Sequence, residues 1–247
     1  MATPYATVVL DTVDSTQDEA RRRVGEHPRG VLVVAGAQTR GRGRRGRGWL
    51  SAPRGVAASI AFLPGWPASV WPRMTLAAGL AATTAIADVT GVEVALKWPN
   101  DVVDRSGAVK LGGILTETSG DVAVVGLGLN LHWPDPPPGV GALLATDPGP
   151  ELGGAIATGW ADHLLWRVGG DPDAWGAAEY RKRCVTIGAE ITWEPGGSGV
   201  ADDIDEQGRL VVATAEGRAR LVAGEVFQVR PATVAGGIDP IGGGEST

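Results

Sequence analysis

The feature that most restricts how this chain can fold is a run of charge held between two stretches built for burial. Residues 38–50 read Gln-Thr-Arg-Gly-Arg-Gly-Arg-Arg-Gly-Arg-Gly-Trp-Leu, so that Arg40, Arg42, Arg44, Arg45 and Arg47 alternate with Gly41, Gly43, Gly46 and Gly48. These five arginines come from only 22 Lys and Arg in a chain whose formal net charge is -6. Glycine reaches positive φ and lets the backbone approach a ligand closely, while guanidinium forks match phosphate or carboxylate oxygens bidentately. Taken alone, the run suits a compact-anion site, a nucleic-acid-tracking tail or a solvated loop. Its flanks decide between them. Val31-Leu-Val-Val-Ala35 before it and Val56-Ala-Ala-Ser-Ile-Ala-Phe-Leu63 after it read as buried strands. A basic loop pinned between core strands is a site rather than a tail.

Composition narrows the class. At 247 residues and 43% apolar, the chain can bury one large domain, or a domain with a small companion. No apolar run approaches the roughly 20 residues that a membrane-crossing helix needs, and the N-terminus lacks the pattern of a secretory signal, so the cytoplasm is expected. One cysteine, Cys184, excludes an internal disulfide and a cysteine-based metal cluster, and His27, His132 and His163 lack ligand spacing. The acidic balance argues against general DNA or RNA binding.

In chain order, Val8–Leu10 reads as a strand, and Thr16 with Glu19 as a capping box opening a helix that ends at Gly25. Residues 75–89 form an Ala- and Leu-rich helix. Glu93–Lys97 is a strand stopped at Trp98-Pro-Asn-Asp101, which presents Lys97, Asn100 and Asp101 at a strand end, where sites are commonly built. After a turn at Arg105–Ala108, strands are expected at 110–117 and 122–129. Gly126 and Gly128 in the second are not a dinucleotide fingerprint, because no third glycine and no helix follow. Residues 133–150, rich in Pro and Gly, form a connection; helices follow at 152–168 and 172–184. From residue 186 the texture changes to short strands at 189–194, 199–204, 208–214, 218–222 and 224–229, which suits a small barrel. The expected organisation is a domain over 1–185, a barrel over 186–233 and a mobile tail over 234–247.

Asp14-Ser-Thr-Gln17, Gln38 with Gly41–Arg47 and Trp49, Lys97-Trp-Pro-Asn-Asp101, Lys110-Leu-Gly-Gly-Ile-Leu115 and Gly126-Leu-Gly-Leu-Asn130 occur here in the order in which the biotin-protein ligases carry them. The chain strongly resembles that family over roughly residues 8–230. The resemblance implies an α+β fold, with a mixed sheet like that of class II aminoacyl-tRNA synthetases, helices on one face and a C-terminal SH3-like barrel. It implies activation of biotin with ATP and Mg²⁺ to biotinyl-5'-AMP and transfer to one lysine of a biotin carboxyl carrier domain, by a monomer or weak homodimer. Because the chain starts just before its first strand, the resemblance is to the type without the N-terminal DNA-binding domain, and no DNA partner is expected.

Carried over residue by residue, the resemblance sets biotin against Ser15, Thr16, Gln17, Gln38, Gly41, Arg42, Gly43, Arg44, Lys110 and Gly113. It sets ATP against Arg44, Arg47, Trp49, Asn100, Asp101, Lys110 and Asn130; Mg²⁺ arrives with the phosphates, with no protein ligand assigned. The chemistry suits these residue types, since acyl-adenylate formation holds two anions together while pyrophosphate leaves. Arg44 and Arg47 are expected on phosphate oxygens, Lys110 between carboxylate and phosphate, and Asp101 on the incoming amine, although an aspartate after proline also caps turns. Gly112, Gly113, Gly126 and Gly128 would let the valeryl chain lie on bare backbone, and the Arg-Gly loop would act as a lid. The rival readings are a lipoate or octanoate ligase of the same fold and an Arg-Gly RNA-binding module; the second leaves Lys97–Asp101 without a task.

Overall fold

The structure, a computed structural model, describes residues 5–194, 196–222 and 229–231. The elements are β1 (Ala6–Val13), α1 (Thr16–Arg23), β2 (Val31–Gln38), β3 (Arg54–Phe62), α2 (Arg73–Thr90), β4 (Ala95–Lys97), β5 (Asp101–Val103), β6 (Lys110–Ser119), β7 (Val122–His132), α3 (Glu151–Val168), α4 (Ala177–Arg183), β8 (Glu190–Trp193), β9 (Gly197–Ile204), β10 (Leu210–Thr214), β11 (Gly217–Leu221) and β12 (Val229–Pro231). A seven-stranded mixed sheet runs β1-β2-β3-β7-β6-β5-β4, and a five-stranded antiparallel sheet runs β11-β10-β9-β8-β12. Only β1 and β2 pair parallel in the large sheet, with α1 as their crossover.

Alternation along β2 and β3 explains where the helices lie. Leu32 and Ile60 point into the main core with Leu80, Ile86, Ile156 and Trp160 of α2 and α3. Val31, Val33 and Ala61 point the other way, onto Ala20 of α1. Strands apolar on both faces need cover on both. The expectation of helices on one face is therefore corrected: α2 and α3 cover one side and α1 the other, leaving the rest of that second side over β6 and β7 open for a site.

Other expectations shift by local chemistry. Ser15, not Thr16, caps α1, its hydroxyl accepting from the Asp18 amide at 3.5 Å, while Glu19 pairs with Arg22 and Arg23 instead of closing a box. Thr16 is thereby freed to turn inward. Residues 101–103, which carry no strand assignment in the sequence, form β5, paired with β4 and β6. The helix expected over 172–184 begins only at Ala177, because Gly176 sits at φ 109° and separates it from a 3₁₀ turn at Pro172–Ala174. The strand expected at 224–229 and the tail 234–247 lie outside the described residues, apart from Val229 at the start of β12.

The small sheet shares the core of the large one. Ile191, Ala201, Ile204, Leu210 and Val212 join the same apolar cluster. Its β9–β10 turn is gripped from the large unit, where the Trp98 indole donates to the Gly208 carbonyl at 3.1 Å and the Trp175 indole to that of Glu206 at 2.8 Å. No helix among the described residues is long and apolar enough to cross a membrane.

Candidate active site

The floor of the site is the open face of β6 and β7. Gly113 pairs with Gly128, and Leu115 with Gly126. A Cβ at Gly128 would lie 2.7 Å from the Trp49 indole, and one at Gly126 would lie 2.7 Å from Gln17 Oε1. These glycines are required by the side chains that descend onto them. Gly112 points to the opposite face, against Leu129 and the Gly128 carbonyl, so the expectation that it borders a ligand is corrected by strand alternation.

The Arg-Gly segment forms a small hairpin over this floor. The Gly43 amide donates to the Arg47 carbonyl at 2.7 Å and the Trp49 amide to that of Gly41 at 2.9 Å, around a turn in which Arg45 adopts φ 57°. Arg42 fastens it: its guanidinium donates to Asp18 at 2.6 Å and to Glu117. That side chain is thus tied to α1 and β6. Arg40, 79% exposed, reaches Asp14 and lies outside. Arg44 turns inward and donates to Asn100 Oδ1 at 3.1 Å. Burial, chiefly, and repulsion from Arg45 and Arg47 lower its pKa below the usual guanidinium value, with Asp101 opposing them. A half-buried guanidinium crowded by like charge favours an anion beside it.

Asn100 is fixed by reciprocal bonds, its amide donating to the Ile114 carbonyl at 3.0 Å and its carbonyl accepting from the Ile114 amide at 2.8 Å. Lys110 Nζ donates to Asp101 Oδ1 at 2.6 Å and stands 5.7 Å from the centre of the Trp49 ring. At the α1 end the Thr16 amide donates to Gln38 Oε1 at 2.9 Å, Thr16 Oγ1 contacts Ser59 Oγ at 2.9 Å, and Ser59 Oγ donates to Gln17 Oε1 at 2.9 Å.

These groups enclose a cavity of about 380 Å³. It brings together Ser15, Thr16, Gln17, Gln38, Arg42, Gly43, Arg44, Arg47, Trp49, Asn100, Asp101, Lys110 and Gly113 of the residues singled out in the sequence. It does not bring in Gly41 or Asn130. Asn130 is buried farther along the same face of β7; its amide donates to the Gly141 carbonyl at 2.9 Å, and its Oδ1 has no partner among the described residues. Lys97 also lines the cavity, so its charged lining is Arg42, Arg44, Arg47, Lys97 and Lys110 against Asp101 alone. Sequence reasoning missed Ser59, whose one signal was a single hydroxyl in the apolar run 56–63. Cys184 is buried away from the cavity, and burial raises its thiol pKa. Among the described residues no group of three or more His, Cys, Asp or Glu could hold a metal.

The sequence profile of the Biotin/lipoate A/B protein ligase family matches residues 9–131, which include every residue lining the cavity, and that of the biotin protein ligase C-terminal domain matches residues 197–228. The biotin--[acetyl-CoA-carboxylase] ligase of Mycobacterium tuberculosis is 37% identical over 239 residues, covering 90% of this chain and 88% of that protein. The chain belongs to the biotin protein ligase family. A second member, the biotin--[acetyl-CoA-carboxylase] ligase of Paracoccus denitrificans, is 31% identical and is covered over 99% of its length. The bifunctional ligase/repressor of Bacillus subtilis is matched over only 39% of its length, at 36% identity. Among solved members, the biotin protein ligase of Aquifex aeolicus in complex with biotin and ATP superposes with a TM-score of 0.78 at 26% identity, covering 92% of this chain and 99% of that one.

Proposed function

We propose that the chain joins biotin to AMP from ATP and then passes biotin to one lysine of a biotin carboxyl carrier domain. The observation that carries this reading is the order of groups along β6. An uncharged hydrogen-bonding end (Ser15, Thr16, Gln38) lies toward Leu115, a flat apolar surface (Trp49 over Gly113 and Gly128) follows, and Lys110 with Asp101 closes the far end. Biotin presents the same series as a cyclic urea, an apolar bicycle with its acyl chain, and a carboxylate.

In the first step a biotin carboxylate oxygen attacks the α-phosphorus of ATP; an O–P bond forms and the bond to pyrophosphate breaks. Lys110 sits between the two anions, and Arg44 and Arg47 take phosphate oxygens. The Lys110–Asp101 pair holds the ammonium in place beforehand. The incoming anions compete for that ammonium and release Asp101, which then takes a proton as the carrier lysine attacks the acyl carbonyl and AMP leaves. Mg²⁺, bound with ATP, would neutralise phosphate charge, and Asn100 would be the residue to meet its waters. The unpaired Asn130 Oδ1 offers an acceptor to an adenine amine, which supports a nucleotide reaching past Trp49. The hydrogen-bonding set at Ser15, Thr16 and Gln38 favours a urea over lipoate or octanoate, which have no polar head to use it.

The finer architecture belongs to the same proposal. It comprises a catalytic unit related to class II aminoacyl-tRNA synthetases, a boundary near residue 185, an SH3-like barrel built on the small sheet, and a cytoplasmic monomer or weak homodimer. The test is biotin-dependent exchange of labelled pyrophosphate into ATP by the purified chain. Exchange with biotin but not with lipoate is the expected result; exchange with lipoate alone, or none with biotin, would refute the reading.

A further inference from the structure

The hydrogen-bond chain at the uncharged end of the cavity can be given a direction, one hydrogen at a time. Gln17 Nε2 lies 3.2 Å from the Leu115 carbonyl and 3.0 Å from that of Val124. Carbonyls only accept, so the amide nitrogen must face them and Oε1 must face Ser59. Ser59 therefore donates its one hydrogen to Gln17 at 2.9 Å, and its 2.9 Å contact with Thr16 Oγ1 requires Thr16 to be the donor. Thr16 Oγ1 also lies 3.1 Å from Gln38 Oε1, so two hydroxyl hydrogens face three contacts. Gln38 Oε1 is already served by the Thr16 amide at 2.9 Å, whereas Gln17 Oε1 is sealed inside the protein. With the Ser59 hydrogen held by Gln17 Oε1, the Thr16 hydrogen goes to Ser59, where its absence would set two oxygens lone pair to lone pair at 2.9 Å, rather than to Gln38 Oε1, which the Thr16 amide already serves. Ser59, Gln17 and Thr16 are 1%, 3% and 4% exposed, which holds this assignment against exchange with solvent.

We propose that Gln17 and Ser59 act as a polarity relay, anchored on the Leu115 and Val124 carbonyls, that compels Thr16 Oγ1 to present lone pairs to the cavity and so to demand an N–H from the ligand. Both are positioning residues acting through Thr16. The inference rests on the reading of this cavity as the biotin site and adds its basis for choosing a urea. Gly126 belongs to the same device: a Cβ there would fall 2.7 Å from Gln17 Oε1 and 3.1 Å from Ser59 Oγ, on the relay itself. A ligand with an oxygen in place of the ring N–H sets acceptor against acceptor and is rejected. Without the relay, the Thr16 hydrogen is held only by Gln38 Oε1, which the Thr16 amide already serves, and can be given up to donate to a ligand oxygen.

The test compares biotin with its two cyclic-carbamate isosteres, in which one or other ring N–H is replaced by oxygen. Calorimetric binding and the rate of adenylate formation are measured on the full chain, as wild type, Ser59→Ala, Thr16→Val and the double variant. The relay predicts a wild-type preference for biotin of about a hundredfold over at least one isostere, narrowed about tenfold by Ser59→Ala. In the Thr16→Val background, Ser59→Ala should change the preference no further, because both act through one hydroxyl. Ser59→Cys, with the same size and a weaker donor, should fall between wild type and Ser59→Ala. A preference untouched by Ser59→Ala and Ser59→Cys, whatever happens to their melting temperatures, overturns the relay, as do effects that multiply in the double variant. If the wild type binds neither biotin nor isostere, the biotin reading itself has failed, which is a different result from a wild type that binds biotin without discriminating.

Discussion

Two glycine-to-alanine changes on adjacent strands separate the site from the scaffold. At Gly128 the new methyl would meet Cε2 and Cζ2 of Trp49 at 2.7 Å. The indole is carried by the end of the Arg-Gly hairpin rather than by the sheet and is partly exposed, so it is the indole that moves. Its seat over Gly113, where a Cβ would be 3.5 Å from the ring, is lost with the closure of the cavity. Overpacking of this kind costs about 1–3 kcal/mol. Because the yielding part is the site wall, that cost falls on the ligand, as about a 5- to 150-fold rise in the Kd for biotin. At Gly112 the methyl would meet the Gly128 carbonyl oxygen at 2.6 Å and Leu129 Cδ1 at 3.0 Å. A carbonyl held in the sheet ladder cannot step aside. Gly112→Ala should therefore lose about 3 kcal/mol or more of stability, a fall in Tm of about 6–12 °C for a chain of this size. Calorimetric titration with biotin and a thermal melt on both variants decide the matter. Normal biotin affinity in Gly128→Ala, or equal losses of Tm in the two variants, would refute the assignment of these glycines to opposite faces with opposite duties.

Other consequences follow from single contacts. Lys110→Ala should abolish adenylate formation, and because its pair with Asp101 is about a third exposed, the melt should show a change of no more than ~1 kcal/mol; adenylate made at the normal rate would end its proposed role. Arg44→Gly should release adenylate into solution and label bystander lysines, visible on a blot of mixed proteins. Protease nicking within residues 40–48 should slow when biotin and ATP are added and quicken in Glu117→Gln, which removes one of the two acidic partners of Arg42; rates indifferent to both would discard the lid. The Arg54 guanidinium first, and the Gly149 amide second, hold the Asp147 carboxyl down at about 2. A carboxylate depressed on folding stabilises fully above its ordinary value near 3.8 and loses that contribution as pH falls through 2. Amide exchange across residues 145–149 should accordingly rise from pH 4 to pH 2 relative to Arg54→Gln, in which the acid step should shrink.

The sequence made the β6–β7 hairpin and α2 legible, because period and turn chemistry agreed there. It hid β5, since Trp-Pro-Asn-Asp reads as a strand stop and three residues carry no period of their own; the pairing with β4 and β6 supplies what the local signal lacks. Placement of α1 on the second face follows from Val31 and Val33 being as apolar as Leu32, a two-sided pattern that signals burial but does not say which element covers each side. In the site, charged and amide side chains declared themselves by type, and thirteen of the fifteen residues assigned to biotin or ATP line one cavity. Ser59 did not, because a serine inside an apolar strand has no spacing to mark it and acquires meaning only when Thr16 and Gln17 fold against it. Asn130 was drawn in by its motif, yet it does not line the cavity.

The most direct measurement is the intact mass of an isolated biotin carboxyl carrier domain after incubation with this chain, biotin and MgATP. The account predicts a gain of one biotin less one water, confined to a single lysine, dependent on ATP and absent with Lys110→Ala. A carrier whose mass stays unchanged with the wild-type chain, or that is loaded equally well by Lys110→Ala, would contradict it.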